Sequence, residues 1–207
     1  LARRGRAIVA LPGGCQLGPR PVDLHLKGLA ALGAEIRIEA GYVLARAHRL
    51  RGSEVCLLGP QGPTVTGTAN VLCAAVLAEG RTTIRGAAME PEIVDLGRFL
   101  NHLGARIQGL GSSTLEITGV PALGGGVYRV IPDRIEAATL LLAAAITRGE
   151  ITVSGVVPEQ LRAVCECLQA TGVQIEVGAE WIRVNAAERP APIDVTAEPY
   201  PGIPSDL

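Results

Sequence analysis

Short runs of alternating apolar and polar residues recur along the chain, and between them the apolar spacing lengthens to three or four. Alternation puts successive side chains on opposite faces of a strand, whereas the longer spacing lines one face of a helix. Strands are predicted near 6–11, 35–38, 42–46, 54–58, 82–85, 105–108, 114–118, 127–131, 150–153, 173–177, 181–184 and 192–195. Helices are predicted near 21–32, 68–79, 91–103, 134–148 and 158–171. Pro91 and Pro158 suit a first helical turn, where a missing N–H costs nothing. Strands and helices interleaved in this way make an α/β chain.

The pattern also repeats. Cys73-Ala-Ala-Val-Leu-Ala-Glu-Gly80 and Leu142-Ala-Ala-Ala-Ile-Thr-Arg-Gly149 each close an apolar helix with Gly and lead into an alternating strand that ends at Gly86 or Gly155. Three other helix ends share one form, with Gly33, Gly104 and Gly172 followed by the residues that open a strand. Gly there accepts the left-handed conformation that closes a helix. One unit reads strand, helix, strand, strand, helix in cyclic order over about 70 residues. Leu1 to Gly5 resemble the tail of such a helix, and Pro204 to Leu207 a helix start cut short, so the chain is expected to be a fragment. A domain boundary is expected near Gly124–Pro132, although Gly124 to Gly126 alone would equally suit a hairpin turn.

Composition narrows the function classes. Only five residues are aromatic, so the core is built from aliphatic side chains and base-stacking platforms for nucleic acid are disfavoured. The formal charge is −1 with no basic run, which again argues against nucleic acid. The longest apolar stretch, 137–146, is too short to span a membrane. Five cysteines without a CxxC pair suggest neither a disulfide framework nor zinc, and fit a reducing cytoplasm with no metal cofactor. Cys56 and Cys73 sit in apolar patterns and are expected to be inert core residues.

Candidate chemistry concentrates in Leu11-Pro-Gly-Gly-Cys15-Gln-Leu-Gly-Pro-Arg20-Pro-Val-Asp-Leu-His25. Gly13, Gly14 and Gly18 make a loop whose backbone N–H groups can converge on an anion, and Pro21 opens a helix whose positive end faces the same place. Arg20 adds a guanidinium suited to phosphate or carboxylate, and a thiol in that setting has a lowered pKa. Residue types alone leave a second reading open, a structural Gly-Pro loop bearing a free cysteine.

This loop resembles the active-site loop of the UDP-N-acetylglucosamine enolpyruvyl transferases. The resemblance continues through Gly33-Ala-Glu-Ile36, Pro63-Thr-Val-Thr-Gly-Thr68, Ala74 to Gly80, Glu90-Pro-Glu-Ile-Val-Asp95, Tyr128 to Glu136 and Pro199 to Asp206. It implies an inside-out α/β barrel of repeated strand–helix units in two domains, with residues 1–131 the later part of the catalytic-loop domain and 132–207 the start of the second. It implies transfer of the enolpyruvyl group of phosphoenolpyruvate to the 3-hydroxyl of UDP-N-acetylglucosamine with release of phosphate, the first committed step toward peptidoglycan, without a cofactor. The implied roles are Cys15 as proton donor and covalent attachment point, and Asp206 as the carboxylate beside the attacking hydroxyl. Arg20, Pro21, Val22, Asp23 and Leu24 are implied as nucleotide-sugar contacts, with Thr64, Val65 and Thr66 on the diphosphate. Read without the resemblance, the Thr64-Val65-Thr66-Gly67-Thr68 run offers ordinary helix capping by Thr, Asp206 is a first-turn residue, His25 a helix-surface residue, and Glu90 and Glu92 domain-interface or structural carboxylates.

Three positions depart from the family pattern: Gly62 where many relatives carry Lys, Met89 where most carry Arg, and Tyr200 where His is common. The fragment lacks the family's N-terminal Lys-Asn site and its C-terminal phosphate-binding arginines, so it is expected to be inactive alone. Two rivals remain: a sister enzyme of the shikimate route, which lacks the Pro-Gly-Gly-Cys loop, and a non-catalytic nucleotide-sugar binder.

Overall fold

The computed structural model describes residues 1–12, 21–60 and 62–207. Cys15 and Arg20 therefore lie outside the described residues. The chain divides into two compact units, Leu1–Arg129 and Val130–Leu207.

The first unit opens with β1 (Arg6–Ala10), α1 (Asp23–Ala31), β2 (Glu35–Glu39) and β3 (Tyr42–Arg46). Both β1 and β2 pair antiparallel with β3, giving the order β1-β3-β2. A connecting stretch follows: β4 (Glu54–Cys56), the two-residue strands β5 (Leu58–Gly59) and β6 (Gly62–Pro63), and α2 (Val65–Ala75). The first arrangement then recurs as β7 (Arg81–Arg85), α3 (Pro91–His102), β8 (Arg106–Gln108) and β9 (Thr114–Thr118), in the order β7-β9-β8 with β4 added parallel to β7.

The second unit carries α4 (Arg134–Ile146) and then the same arrangement again. Its parts are β10 (Glu150–Ser154), a 3-10 turn at Pro158–Leu161 running into α5 (Arg162–Ala170), β11 (Gln174–Val177) and β12 (Trp181–Asn185), in the order β10-β12-β11. The repeat read from the sequence is thus a strand–helix–strand–strand module used three times.

One backbone device closes the helix of every module. Gly33, Gly104 and Gly172 have φ of +93°, +100° and +88°. Each donates to the carbonyl three residues back, while the next residue donates to the carbonyl five back, as in Ala34 N–H to Leu29 O at 3.1 Å. This pair of bonds satisfies carbonyls left over at a helix end and turns the chain directly into a strand.

The apolar faces then meet. In the first unit Ile84, Leu115 and Ile117 are buried in one core with Val71, Leu72 and Leu100. In the second, Ile182 and Val184 pack in a core with Ala138, Leu141 and Leu168. The β1-β3-β2 sheet is less covered: Val9 and Ile38 remain more than half exposed. An open groove of 690 Å³ runs past Val9, Val43, Leu29 and Leu77.

Several expectations are corrected. No strand forms at 127–131 or 192–195, and Gly124 to Gly126 make no hairpin turn. Instead Gly124 N–H bonds the Leu103 carbonyl at 2.7 Å, and Tyr128 donates to Asp95 Oδ1 at 2.7 Å while packing on Phe99 and His102. Helix α2 starts three residues before the expected position, because the Thr64 hydroxyl accepts from Gly67 N–H at 3.2 Å and caps it there. Pro204 to Leu207 are not helical. Cys56 and Cys73 are exposed rather than core residues, whereas Cys165 is buried. Strand alternation explains Cys56, which points away from buried Val55 and Leu57.

Two predictions follow from close backbone approach and from the cap. A Cβ at Gly119 would fall 1.6 Å from the Ala78 carbonyl oxygen, so Gly119→Ala forces two backbone segments apart and should cost about 2–3 kcal/mol of unfolding free energy. Gly104, where a Cβ meets nothing, should lose only about 1 kcal/mol as Ala, from its positive φ alone. Denaturant titration of both variants checks the ordering. Thr64→Ala should cost about 1 kcal/mol through the lost cap, and Thr64→Ser should restore it.

Candidate functional site

Two of the segments singled out in the sequence come together through their helices. Val22 is the residue before α1, with Asp23 as its first acidic residue, and Thr64 holds the same place before α2. Gly28 lets the helices approach: a Cβ there would lie 2.3 Å from Val71 Cγ2. One turn earlier, His25 reaches across to α2, with Nδ1 2.8 Å from Asn70 Nδ2 and Nε2 3.3 Å from Thr66 Oγ1. His25 meets Thr66 and Asn70, and Gly28 meets Val71, so α1 and α2 run the same way and start side by side.

The first N–H groups of any helix have no partner within it, and each helix start carries about half a unit of positive charge. Two adjacent starts, presenting Pro21 to Leu24 and Thr64 to Thr66, form a place suited to a diphosphate. Thr66 is exposed there, while Thr64 and Val65 are half-buried. The β5–β6 hairpin backs the site. A Cβ at Gly59 would sit 3.0 Å from Leu24 Cδ1, and Gly62 has φ +97°. That φ favours Gly at this position, since a side chain there is strained. Behind the cap, buried Thr68 donates to the Thr64 carbonyl at 2.7 Å and accepts from Ala88 N–H at 3.1 Å, tying the start of α2 to the segment after β7.

Pro12 and Val22 both line the groove between the β1-β3-β2 sheet and the helices, together with His25 and Asn70. Cys73 opens onto the same groove, and desolvation by its neighbours pushes its thiol pKa up. Burial and then Glu166 do the same to Cys165. Both thiols are therefore protonated and poor nucleophiles at neutral pH. Burial lowers the His25 pKa against the opposing pull of Asp23, which keeps its ring neutral.

Asp206 belongs to the second unit and is exposed in a turn. The chain before it is anchored: Ile203 packs on that unit's core, Glu198 N–H bonds the Ile203 carbonyl at 2.9 Å, and the Arg134 guanidinium lies 5.4 Å from the Tyr200 ring centre. Of the acidic pair, Glu90 is buried and Glu92 exposed; Glu90 Oε2 has no hydrogen-bond partner among the described residues. Sequence reasoning missed the joint role of His25 and Asn70. The only signal was the spacing of Thr66 and Asn70, which share one face of a helix.

Among known proteins, a UDP-N-acetylglucosamine 1-carboxyvinyltransferase 1 of Carboxydothermus hydrogenoformans is 47% identical over 207 residues, covering all of this chain and 49% of its own length. The UDP-N-acetylglucosamine 1-carboxyvinyltransferase of Hydrogenovibrio crunogenus is 49% identical over 208 residues with the same coverage. The chain thus spans about half the length of these curated relatives. The crystal structure of the enolpyruvyl transferase NikO from Streptomyces tendae superposes with a TM-score of 0.82 at 24% identity, over 99% of this chain and 49% of that one. An EPSP synthase from Acinetobacter baumannii superposes at 0.62 and 22% identity, over 88% of this chain and 43% of its own. These likenesses show the enolpyruvyl transferase fold expected from the sequence. The family model described as EPSP synthase (3-phosphoshikimate 1-carboxyvinyltransferase) matches residues 1–207 from end to end, and the chain belongs to that family.

Proposed function

We propose that this chain is part of an enzyme that transfers the enolpyruvyl group of phosphoenolpyruvate to the 3-hydroxyl of UDP-N-acetylglucosamine, a cytoplasmic step toward peptidoglycan. The observation that carries the reading is the pair of helix starts held side by side at Pro21–Leu24 and Thr64–Thr66. The names of relatives 47–49% identical support the same substrate. The shikimate-route alternative draws only on the fold, from neighbours 21–22% identical, and on the family description.

In this reading Asp23 and the N–H groups at the start of α1 hold the nucleotide, while Thr64, Val65 and Thr66 hold the diphosphate. Pro21, Val22 and Leu24 shape the wall against the sugar nucleotide. Arg20 binds the phosphate of phosphoenolpyruvate. The Cys15 thiol gives a proton to the methylene carbon as the sugar hydroxyl oxygen bonds to the neighbouring carbon. Asp206 takes the hydroxyl proton. Loss of phosphate and return of a methyl proton to the base regenerate the double bond. The Cys15 thiolate can instead attack the same carbon and hold the group covalently.

Fosfomycin, the inhibitor expected for this family, provides the test. A protein carrying this chain should be labelled on Cys15, with Cys73 and Cys165 unmodified because their thiols stay protonated. Cys15→Ser should abolish labelling, and Asp206→Asn should lower kcat by about 100-fold or more with a smaller change in KM. Peptide mapping that finds the label elsewhere, or no label on Cys15, would sink the assignment.

A further inference from the structure

The substrate reading leaves one polar group of the site without a task. His25 is half-buried between two helices and, among the described residues, its ring nitrogens bond Thr66 and Asn70 of α2. An amide nitrogen can only donate, so Asn70 Nδ2, 2.8 Å from Nδ1, makes that ring nitrogen the acceptor. The proton of a neutral ring then sits on Nε2, which donates to Thr66 Oγ1 at 3.3 Å. Once that oxygen has accepted, its own hydrogen remains to be given elsewhere. Thr66 is exposed and stands in the first turn of α2, where a bound anion would be.

We infer that His25 is a positioning residue for the nucleotide-sugar diphosphate: held by Asn70 as the Nε2–H tautomer, it orients the Thr66 hydroxyl to donate to the ligand. The inference rests on the substrate reading above. It adds to that reading a residue acting through Thr66 rather than touching the ligand. The chain Asn70 to His25 to Thr66 runs donor to acceptor in one direction only, ending at the diphosphate. Without His25, the hydroxyl is free to turn toward water, and the ligand loses one oriented donor. The Gly28–Val71 contact holds α1 on α2 independently, so removing the imidazole leaves the packing of the helices in place.

Calorimetric titration with UDP-N-acetylglucosamine tests this on a protein carrying this chain, in a double-mutant cycle. His25→Ala should weaken binding by about five- to tenfold, as expected for one oriented hydrogen bond to a charged group, and Thr66→Val by a similar factor. The double variant should be no weaker than either single one, because both remove the same donor. His25→Gln places an amide N–H near the Nε2 position and should recover most of the affinity. A role confined to helix packing predicts instead additive losses and no rescue. Nitrogen-15 spectra of the wild-type imidazoles should show the Nε2–H tautomer at the resonance lost in His25→Gln. That measurement decides the matter should His25→Ala fail to fold. Undiminished binding by His25→Ala, additive losses, or an Nδ1–H tautomer would each overturn the inference while leaving the substrate reading intact. A protein carrying this chain that does not bind the sugar nucleotide overturns both.

Discussion

The absent side chain of Gly28 sets the distance between α1 and α2, and everything proposed for the site depends on that distance. A methyl group there would collide with Val71, so any other residue separates the helices. At the observed spacing the imidazole of His25 spans the gap and finds both Thr66 and Asn70. Two parallel helix starts side by side are electrostatically unfavourable, since each carries about half a positive charge. Together they match a single guanidinium, without the entropy a long side chain loses on ordering. A protonated histidine between them would add to that repulsion. Partial burial works the other way and favours the neutral ring, against the attraction of Asp23. An anion is the ligand that relieves this arrangement.

The module repeat was legible because its signals are local. A helix closed by Gly, followed at once by alternating residues, occurs at Gly33, Gly104 and Gly172, and each closes with the same pair of backbone bonds. Such bonds join residues three and five apart, so one short stretch of sequence contains the whole device. The predicted strands at 127–131 and 192–195 failed for a complementary reason. Their alternation is real, but no neighbouring strand offers them a ladder. Tyr128 spends its side chain on Asp95, Phe99 and His102 instead. Alternation marks what a strand needs on its faces and is silent about its edges.

The site divides along the same line. Cysteine in a Gly-Pro loop and threonines before a helix announce themselves by type, and the cap at Thr64 is found where the residues suggest. The pairing of His25 with Asn70 joins positions far apart on two helices, and no period in the sequence connects them. The buried-cysteine expectation erred through the opposite fault. Neighbours along the chain made Cys73 look enclosed, although it faces a groove open to solvent beside the incompletely covered β1-β3-β2 sheet. Apolar sequence context speaks for burial only where a partner surface exists.

Asp206, the proton acceptor of the proposed reaction, is held without a helix. Its own turn is exposed, and the fixed points lie just upstream, where Ile203 enters the core and Tyr200 presents its ring to Arg134. Arg134 begins α4 and would be repelled by a protonated histidine at position 200, whereas the face of a tyrosine ring attracts it. In the proposed reaction a carboxylate takes the proton of the sugar hydroxyl once bond formation has activated that hydroxyl. On that proposal Asp206 accepts the proton late in the attack rather than generating an alkoxide beforehand. The early driving force of the proposed reaction then comes from protonation of the methylene carbon, the role proposed for Cys15.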